Sequence, residues 1–152
     1  MTDEFIKHAK SYGKAGELWL AQIPKNIAKY EKQWSVKVAS PFKLTYNYVA
    51  PAVRKDGSEV VIKMGFPQER EFQTEIDALE VFGGVGIERL LETDRENGVI
   101  LIEKVIPGIP VSKLEDDQDA TRKIASIIKR IHRPVPENHK FITISEWTND
   151  LF

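Results

Sequence analysis

The 152 residues are enough for one domain with a hydrophobic core of its own. Hydrophobic residues make up 41% and charged residues 30% of the chain, which is typical of a globular protein and excludes disordered and collagen-like classes. Cysteine is absent, which excludes disulfide frameworks and thiol nucleophiles. The net charge of −1 and the lack of a signal-peptide or membrane-span pattern predict a cytoplasmic protein without nucleic-acid or membrane partners.

The first 35 residues are predicted to be helical. Apolar residues share one helical face over residues 3–12, and Gly13 is a typical helix stop. Over residues 15–34 apolar residues again recur three or four positions apart, but Pro24 removes a hydrogen bond in the middle of this stretch. We therefore predict two abutting helices, with Pro24 in the first turn of the second. Their apolar stripe, which should pack against the rest of the fold, contains Leu20, Ile23 and Ile27.

A change to a period of two after Trp34 predicts β-strands. Asp56-Gly57 is a typical tight turn between two of them, and a polar turn at residues 94–98 connects another pair. The predicted strands cover residues 36–38, 44–50, 59–64, 87–93 and 98–104.

Between the two hairpins, a helix is predicted over residues 67–82, with Pro67 in its first turn and Gly83 after its end. The order of elements then indicates an α+β fold, in which about five antiparallel strands form one sheet with one inserted helix. We divide the chain into an N-terminal helical segment, a sheet-and-helix unit, and a linker with further helices, over residues 1–35, 36–106 and 107–152.

The segment after the sheet is predicted to contain two helices. Beyond a Pro-Gly-Ile-Pro linker at residues 107–110, one helix covers residues 118–132, with Asp117 and Asp119 as capping or dipole partners at its start. Another begins at about Ser145 and carries Trp147, Leu151 and Phe152 at the end of the sequence. Because these apolar side chains have no evident cover, we expect a folded protein that continues further; a terminus packed back on the sheet is the alternative.

Lys63 lies within the β-branched strand of residues 59–64, where a lysine is unusual. Because an ammonium group in a low-dielectric environment needs a partner charge or a bound anion, we expect a carboxylate nearby. The predicted helix offers Glu71 and Glu75, one turn apart on the same face. We expect Glu75 to point toward Lys63 and Glu71 to act as a first-turn dipole partner. An exposed lysine on an edge strand is the alternative interpretation.

These residues, in this order, resemble the amino-terminal lobe of protein-kinase-like phosphotransferases. A strand lysine is followed by a helix glutamate, and a hairpin then runs into Leu101-Ile102-Glu103-Lys104-Val105-Ile106-Pro107-Gly108. More narrowly, the chain is similar to the aminoglycoside and hydroxyurea antibiotic resistance kinases of the streptomycin 6-phosphotransferase type. The resemblance implies a kinase-like N-lobe followed by the first helices of a truncated C-lobe. The segments that carry it lie at residues 44–49, 56–63, 74–79 and 128–134, within about residues 30–135.

This resemblance implies the ATP-binding lobe of an enzyme that transfers the γ-phosphate of ATP to a hydroxyl of an aminoglycoside-like compound or hydroxyurea. Lys63 would hold the α- and β-phosphates, and Glu75 would orient Lys63. Mg²⁺ would accompany ATP, with its ligands and the catalytic base in the C-lobe, so this chain alone should be inactive. The adenine ring would lie between the apolar side chains of Val49, Val61 and Leu101. Its edge would form hydrogen bonds with the backbone of Glu103 and Val105, at the end of the last strand.

Two features depart from the protein-kinase pattern. The connection Ser40-Pro41-Phe42-Lys43-Leu44 lacks the glycines with which protein kinases approach the phosphates. His132-Arg133-Pro134 begins like a catalytic loop, but it has proline where the aspartate is required. The alternative function is therefore a stand-alone α+β binding or regulatory module without catalysis.

Overall fold

One antiparallel sheet lies at the centre of the computed structural model, which describes residues 1–137 and 141–149. Its strands are β1 (Val36–Val38), β2 (Tyr48–Arg54), β3 (Glu59–Met64), β4 (Leu90–Asp94) and β5 (Val99–Glu103). The α-helices in the described ranges are α1 (Asp3–Ser11), α2 (Gly13–Gln33), α3 (Arg70–Phe82), α4 (Asp117–Ile131) and α5 (Ile144–Asn149), and a short 3₁₀ helix covers Val111–Lys113. The strand order is β1-β2-β3-β5-β4, with α3 inserted between β3 and β4. The predicted α+β class, with five antiparallel strands and one inserted helix, is confirmed.

The pleat of β3 places alternate side chains on opposite faces of the sheet. Val60, Ile62 and Met64 lie on one face, which α1 and α2 cover. Val61 and Lys63 lie on the other face, which α3 partly covers. We call the second surface the α3 face.

The N-terminal helices share one hydrophobic core with the sheet. Phe5 of α1 and Ile23 of α2 are fully buried in this core, and Leu20 and Ile27 are partly buried against it. The predicted packing of the apolar stripe is therefore confirmed. The two helices also cross closely, because a Cβ atom on Gly16 would lie 1.8 Å from a backbone oxygen of α1.

The prediction of two abutting helices before the sheet is wrong, because α2 continues from Gly13 to Gln33 with Pro24 inside it. Pro24 is exposed, so its ring lies on the solvent side of the helix. The carbonyl group of Leu20, which loses its helical donor, can then bond to water. The missing hydrogen bond therefore costs little at this position, and the burial of the apolar stripe stabilises one continuous helix.

The second strand also differs from its prediction over residues 44–50, because β2 starts at Tyr48 and ends at Arg54. Leu44 is buried, and its carbonyl accepts a hydrogen bond from the Thr2 hydroxyl at 2.5 Å. The segment before β2 is thus tied to the start of α1 by Thr2, and to β2 itself by the Phe42 N–H, which donates to the Val49 carbonyl. Pro51 is tolerated within β2 because its nitrogen faces the β1 side, beyond the last residue pair of that short strand.

The inserted helix α3 begins at Arg70, so Pro67 precedes the helix and does not lie in its first turn as predicted. Pro67 instead lies in a turn, in which the Glu69 N–H donates to the Phe66 carbonyl at 2.9 Å. The Gln73 side chain also donates to the Pro67 carbonyl at 3.1 Å. The predicted end is confirmed by Gly83, which adopts a left-handed conformation with φ of 56°.

The helices after the sheet lie where they were predicted. The Asp116 carboxylate accepts hydrogen bonds from the backbone of Gln118 and Asp119 and caps α4, while Asp117 and Asp119 lie in its first turn. α5 covers the helix expected from about Ser145. The apolar residues Leu151 and Phe152 lie outside the described residues.

None of the helices in the described ranges is both long enough and apolar enough to cross a bilayer.

Candidate functional site

Lys63 and Glu75 form an ion pair on the α3 face. The Nζ atom of Lys63 lies 2.5 Å from Oε1 and 2.6 Å from Oε2 of Glu75, so both carboxylate oxygens hold the ammonium group. The two side chains are 20% and 29% exposed, which leaves one side of the pair accessible to a ligand. The predicted contact is confirmed. Glu71, the other candidate partner, lies exposed in the first turn of α3.

The register of the sheet fixes the position of Lys63. It pairs with Val49 on β2 and with Ile100 on β5, so these three side chains form a row across the α3 face. Its ammonium group also lies 5.9 Å from the centre of the Phe72 ring. Because β3 lies between two other strands, the interpretation of Lys63 as an edge-strand residue is excluded.

The packing of α3 fixes the position of Glu75. Phe72 and Ile76 are buried against the sheet. The Phe72 ring fits against the backbone of Gly65, where a Cβ atom would come within 2.4 Å of the ring. Glu75 follows Phe72 by three positions and precedes Ile76 by one, so it projects from the edge of the buried stripe toward Lys63.

Only part of the predicted apolar wall lies beside Lys63. Val49 and Val61 are on the α3 face and are partly buried. Leu101 is fully buried on the opposite face, in the core that α1 and α2 share, so the structure does not bring it to Lys63. Ile102, which pairs with Val61, lies on the α3 face instead. Ile102 was not among the predicted residues, although the alternation of faces along β5 was a signal that could have identified it.

Glu103 and Val105 lie at the end of β5, where the chain leaves the sheet. The Glu103 N–H donates to the Arg89 carbonyl at 2.9 Å, whereas Val105 lies beyond the last residue pair of the sheet and is 60% exposed. Both residues line an open groove of about 520 Å³, to which Arg130 of α4 also contributes. Lys63 and Glu75 are not among the residues that line this groove. The predicted site residues thus form two groups, the ion pair with its apolar face and the end of β5.

Charged contacts at both ends of α3 were not predicted. The Arg95 guanidinium lies 2.7 Å from an oxygen of Asp77 and 2.8 Å from an oxygen of Glu80. Before the first turn of α3, Glu69 accepts a hydrogen bond from the Tyr12 hydroxyl at 2.5 Å. Burial, and then this hydrogen bond, raise the pKa of Tyr12. These contacts join residues far apart in the sequence, so no local pattern indicates them.

The β1–β2 connection differs in structure as well as in sequence from a glycine-rich phosphate loop. The Phe42 N–H donates to the Val49 carbonyl at 3.0 Å, and Leu44 is buried in the core. The connection is therefore folded against the sheet by its own side chains.

The geometry around Lys63 suits a ligand that has both an anionic part and a flat apolar part. An ammonium group has three N–H donors, and the two bonds to Glu75 leave one for an anion. The adjacent apolar surface includes Val49 and Val61, which are only partly buried. Binding sites for cofactors commonly combine a few directed polar groups with such a surface.

The chain is similar to known proteins over most of its length. Residues 33–152 match the family described as aminoglycoside/hydroxyurea antibiotic resistance kinase. A streptomycin 6-kinase of Streptomyces griseus is 29% identical over 131 residues, which cover 85% of this chain and 42% of that protein. A hydroxyurea phosphotransferase of Kitasatospora aureofaciens is 33% identical over 122 residues, which cover 78% of this chain and 36% of that protein. This chain thus spans about two-fifths of the length of these relatives, and it belongs to the aminoglycoside/hydroxyurea antibiotic resistance kinase family.

Proposed function

We propose that this chain supplies the nucleotide-binding part of a kinase that transfers the γ-phosphate of ATP to a hydroxyl group of a small molecule. The Lys63–Glu75 ion pair carries the proposal. Phosphoryl transfer is catalysed mainly by positioning the phosphates and by stabilising their charge, and an ammonium group held in one direction contributes to both. Relatives named as a kinase and a phosphotransferase support the same class of reaction.

In this proposal the remaining donor of Lys63 binds the α- and β-phosphates of ATP. Glu75 holds the ammonium group in place and limits the rotamers that Lys63 can adopt. The pre-formed pair lowers the entropy lost when the phosphates bind, because the cation is already ordered.

The adenine ring is assigned to the apolar part of the α3 face. Val49 and Val61 offer partly exposed apolar surface there, and Ile102 replaces Leu101 as the contribution of β5. The backbone of Glu103 and Val105 is assigned to the adenine edge, because at Val105 the chain has left the sheet and its N–H is not part of the ladder.

For the acceptor we propose an aminoglycoside-like compound or hydroxyurea, since the relatives are named for streptomycin and hydroxyurea. Mg²⁺ supports such reactions by neutralising phosphate charge. Across residues 1–137 and 141–149, no group of three or more histidine, aspartate or glutamate side chains could hold a metal ion. We assign no metal ligand to these residues. Because such kinases carry the catalytic base and the metal ligands in a C-terminal lobe, we expect no turnover from this chain alone.

The test is the substitution Lys63→Met, which removes the charge and keeps most of the side-chain volume. We expect ATP affinity, measured by calorimetric titration of the chain, to fall on the order of tenfold because one charge-assisted contact to phosphate is lost. In the full gene product, transfer to streptomycin or hydroxyurea should fall by about a hundredfold or more. Lys37→Met is the matched control, because Lys37 forms an exposed ion pair with Glu31 at 3.3 Å on the edge strand β1, which β2 separates from β3.

Far-UV circular dichroism and thermal unfolding show whether each variant is folded. Unchanged ATP affinity in folded Lys63→Met, or a loss of the same size in Lys37→Met, would reject the assignment of Lys63. ATP binding without transfer by the full gene product to either acceptor would favour the non-catalytic binding module.

A further inference from the structure

Arg95, in the turn between β4 and β5, makes three polar contacts with α3. Its guanidinium bridges Asp77 at 2.7 Å and Glu80 at 2.8 Å. Its backbone carbonyl accepts a hydrogen bond from the Gln73 side chain at 3.1 Å. The three contacted residues lie on α3 on either side of Glu75, so Arg95 holds the part of the helix that carries the site carboxylate.

The turn that carries Arg95 is itself anchored in the core. The preceding residue, Asp94, accepts hydrogen bonds from the Tyr30 hydroxyl at 2.7 Å and from the Lys29 ammonium group at 3.2 Å. Tyr30 is fully buried in α2. A continuous series of polar contacts therefore runs from the buried part of α2, through Asp94 and Arg95, to α3.

The apolar stripe of α3 cannot by itself fix where Glu75 points. Apolar contacts between Ile76 or Leu79 and the sheet set the distance between helix and sheet, but they are not directional. The polar contacts with Arg95 are directional, and they restrict rotation of α3 about its axis and sliding along it. Rotation and sliding are the motions that would separate the Glu75 carboxylate from Lys63.

We infer that Arg95 is a positioning residue, which holds α3 so that Glu75 stays paired with Lys63. Arg95 touches neither Lys63 nor Glu75 in the structure and acts through the helix. The expected effect of Arg95 on ATP binding rests on the proposed function, whereas its effect on the Lys63–Glu75 ion pair does not.

The experiment compares Arg95→Gln with the matched control Arg54→Gln in the full 152-residue chain. Arg54 also forms an ion pair from the sheet, with Glu92 at 3.3 Å, but this pair involves no residue of α3. The ammonium ¹H–¹⁵N signal of Lys63, assigned by its loss in Lys63→Met, reports the ion pair. Amide hydrogen exchange of residues 74–80 reports the opening of α3.

We expect Arg95→Gln to shift or broaden the Lys63 signal and to accelerate exchange in α3 by roughly threefold to tenfold, because two ion pairs and their directional restraint are lost. Arg54→Gln should change neither. Arg95→Lys, which keeps the charge, should restore part of the exchange protection. If Arg95→Gln does not fold, the double substitution of Asp77→Asn with Glu80→Gln removes the same contacts from the α3 side and should give the same result.

An unchanged Lys63 signal together with wild-type exchange in α3 would overturn the inference. ATP affinity then separates the two proposals: Arg95→Gln should weaken ATP binding by about threefold or more if both hold. If Lys63→Met leaves ATP affinity unchanged, the proposed function fails, and the Lys63 signal still decides the role of Arg95.

Discussion

Asp94 shows how single residues connect the N-terminal helices to the site. Its carboxylate accepts hydrogen bonds from Tyr30, Lys29 and Asn97. Burial alone would raise the pKa of Asp94, but these hydrogen bonds stabilise the charged form and hold the pKa at about 2. Burial, followed by the hydrogen bond to Asp94, raises the pKa of Tyr30 to about 12. A neutral phenol and an ionised carboxylate therefore persist together over the usual pH range.

We predict that Asp94→Asn removes part of the acid sensitivity of the fold. The folded-state pKa of about 2 lies below the ordinary value of 3.8, so the charge on Asp94 stabilises the fold above the ordinary value. This stabilisation is lost as the pH falls through 2, and it amounts to on the order of 2 kcal/mol. Urea titrations at about pH 6 and pH 2 measure the change in unfolding free energy.

The wild type should lose about 2 kcal/mol more than Asp94→Asn between these two conditions. Glu96→Gln removes one negative charge from the same turn without touching Tyr30 or Lys29, and it serves as the control. Equal losses in the wild type and in Asp94→Asn would contradict the assignment of this acid dependence to Asp94.

The elements that could be predicted from sequence are those that carry their own signal. α3 has helical spacing and a glycine stop, which predicted the helix and its end, and Asp56-Gly57 predicted the turn between β2 and β3. The starts of α3 and β2 were predicted three or four residues too early. The contact between Lys63 and Glu75 followed because one strand and one adjacent helix fix both side chains. By contrast, the pairing of Arg95 with α3 depends on how distant segments meet, which local periodicity does not encode.

The uninterrupted α2 helix shows tertiary packing overriding a local helix breaker. Pro24 leaves the carbonyl of Leu20 without its helical donor, and the ring lies on the exposed side. The buried residues on the other side of the helix, among them Ile23 and Tyr30, lie in the shared core. Their burial on both sides of the proline outweighs the lost hydrogen bond, and the sequence pattern alone did not indicate which effect would dominate.

We predict that Pro24→Ala stabilises the protein by roughly 1–2 kcal/mol. The substitution restores one helical hydrogen bond and replaces proline by a residue of high helix propensity. These two gains exceed the loss that arises because alanine, unlike proline, does not restrict the unfolded chain. Thermal unfolding followed by circular dichroism at 222 nm, a wavelength that reports helix, should give a higher midpoint. Ala28→Ser, at an exposed position one turn further along α2, is the control and should change the midpoint little. A lower midpoint for Pro24→Ala would show that the proline is favourable in this helix.

At the scale of the whole molecule, the described residues form a core between the sheet and the N-terminal helices and a smaller apolar cluster under α3, and α4 lies outside both. The core extends from Phe5 in α1, through Ile23 and Tyr30 in α2, to Ile62 in β3 and Leu101 in β5, all of them fully buried. The α4 helix differs, because its apolar side chains are between 41% and 52% exposed at Ile124, Ile127 and Ile128. Stability should therefore be distributed unevenly, with α2 and the sheet forming one cooperative unit and α4 lying outside it.

We predict that α2 and the sheet lose their protection against hydrogen exchange in a single opening reaction. Native-state exchange at increasing denaturant should give the same opening free energy, within about 0.5 kcal/mol, for amides near Ile23 in α2, Ile62 in β3 and Leu101 in β5. The physical reason is that these side chains share one core, so unfolding α2 would expose the apolar face of the sheet as well. The amides of α4 are the internal control. They should exchange through an opening reaction of lower free energy, which would show that the measurement can resolve separate cooperative units. If the α2 amides opened with the lower free energy of α4, the N-terminal helices would behave as an independent segment, and their shared core with the sheet would not hold them in place.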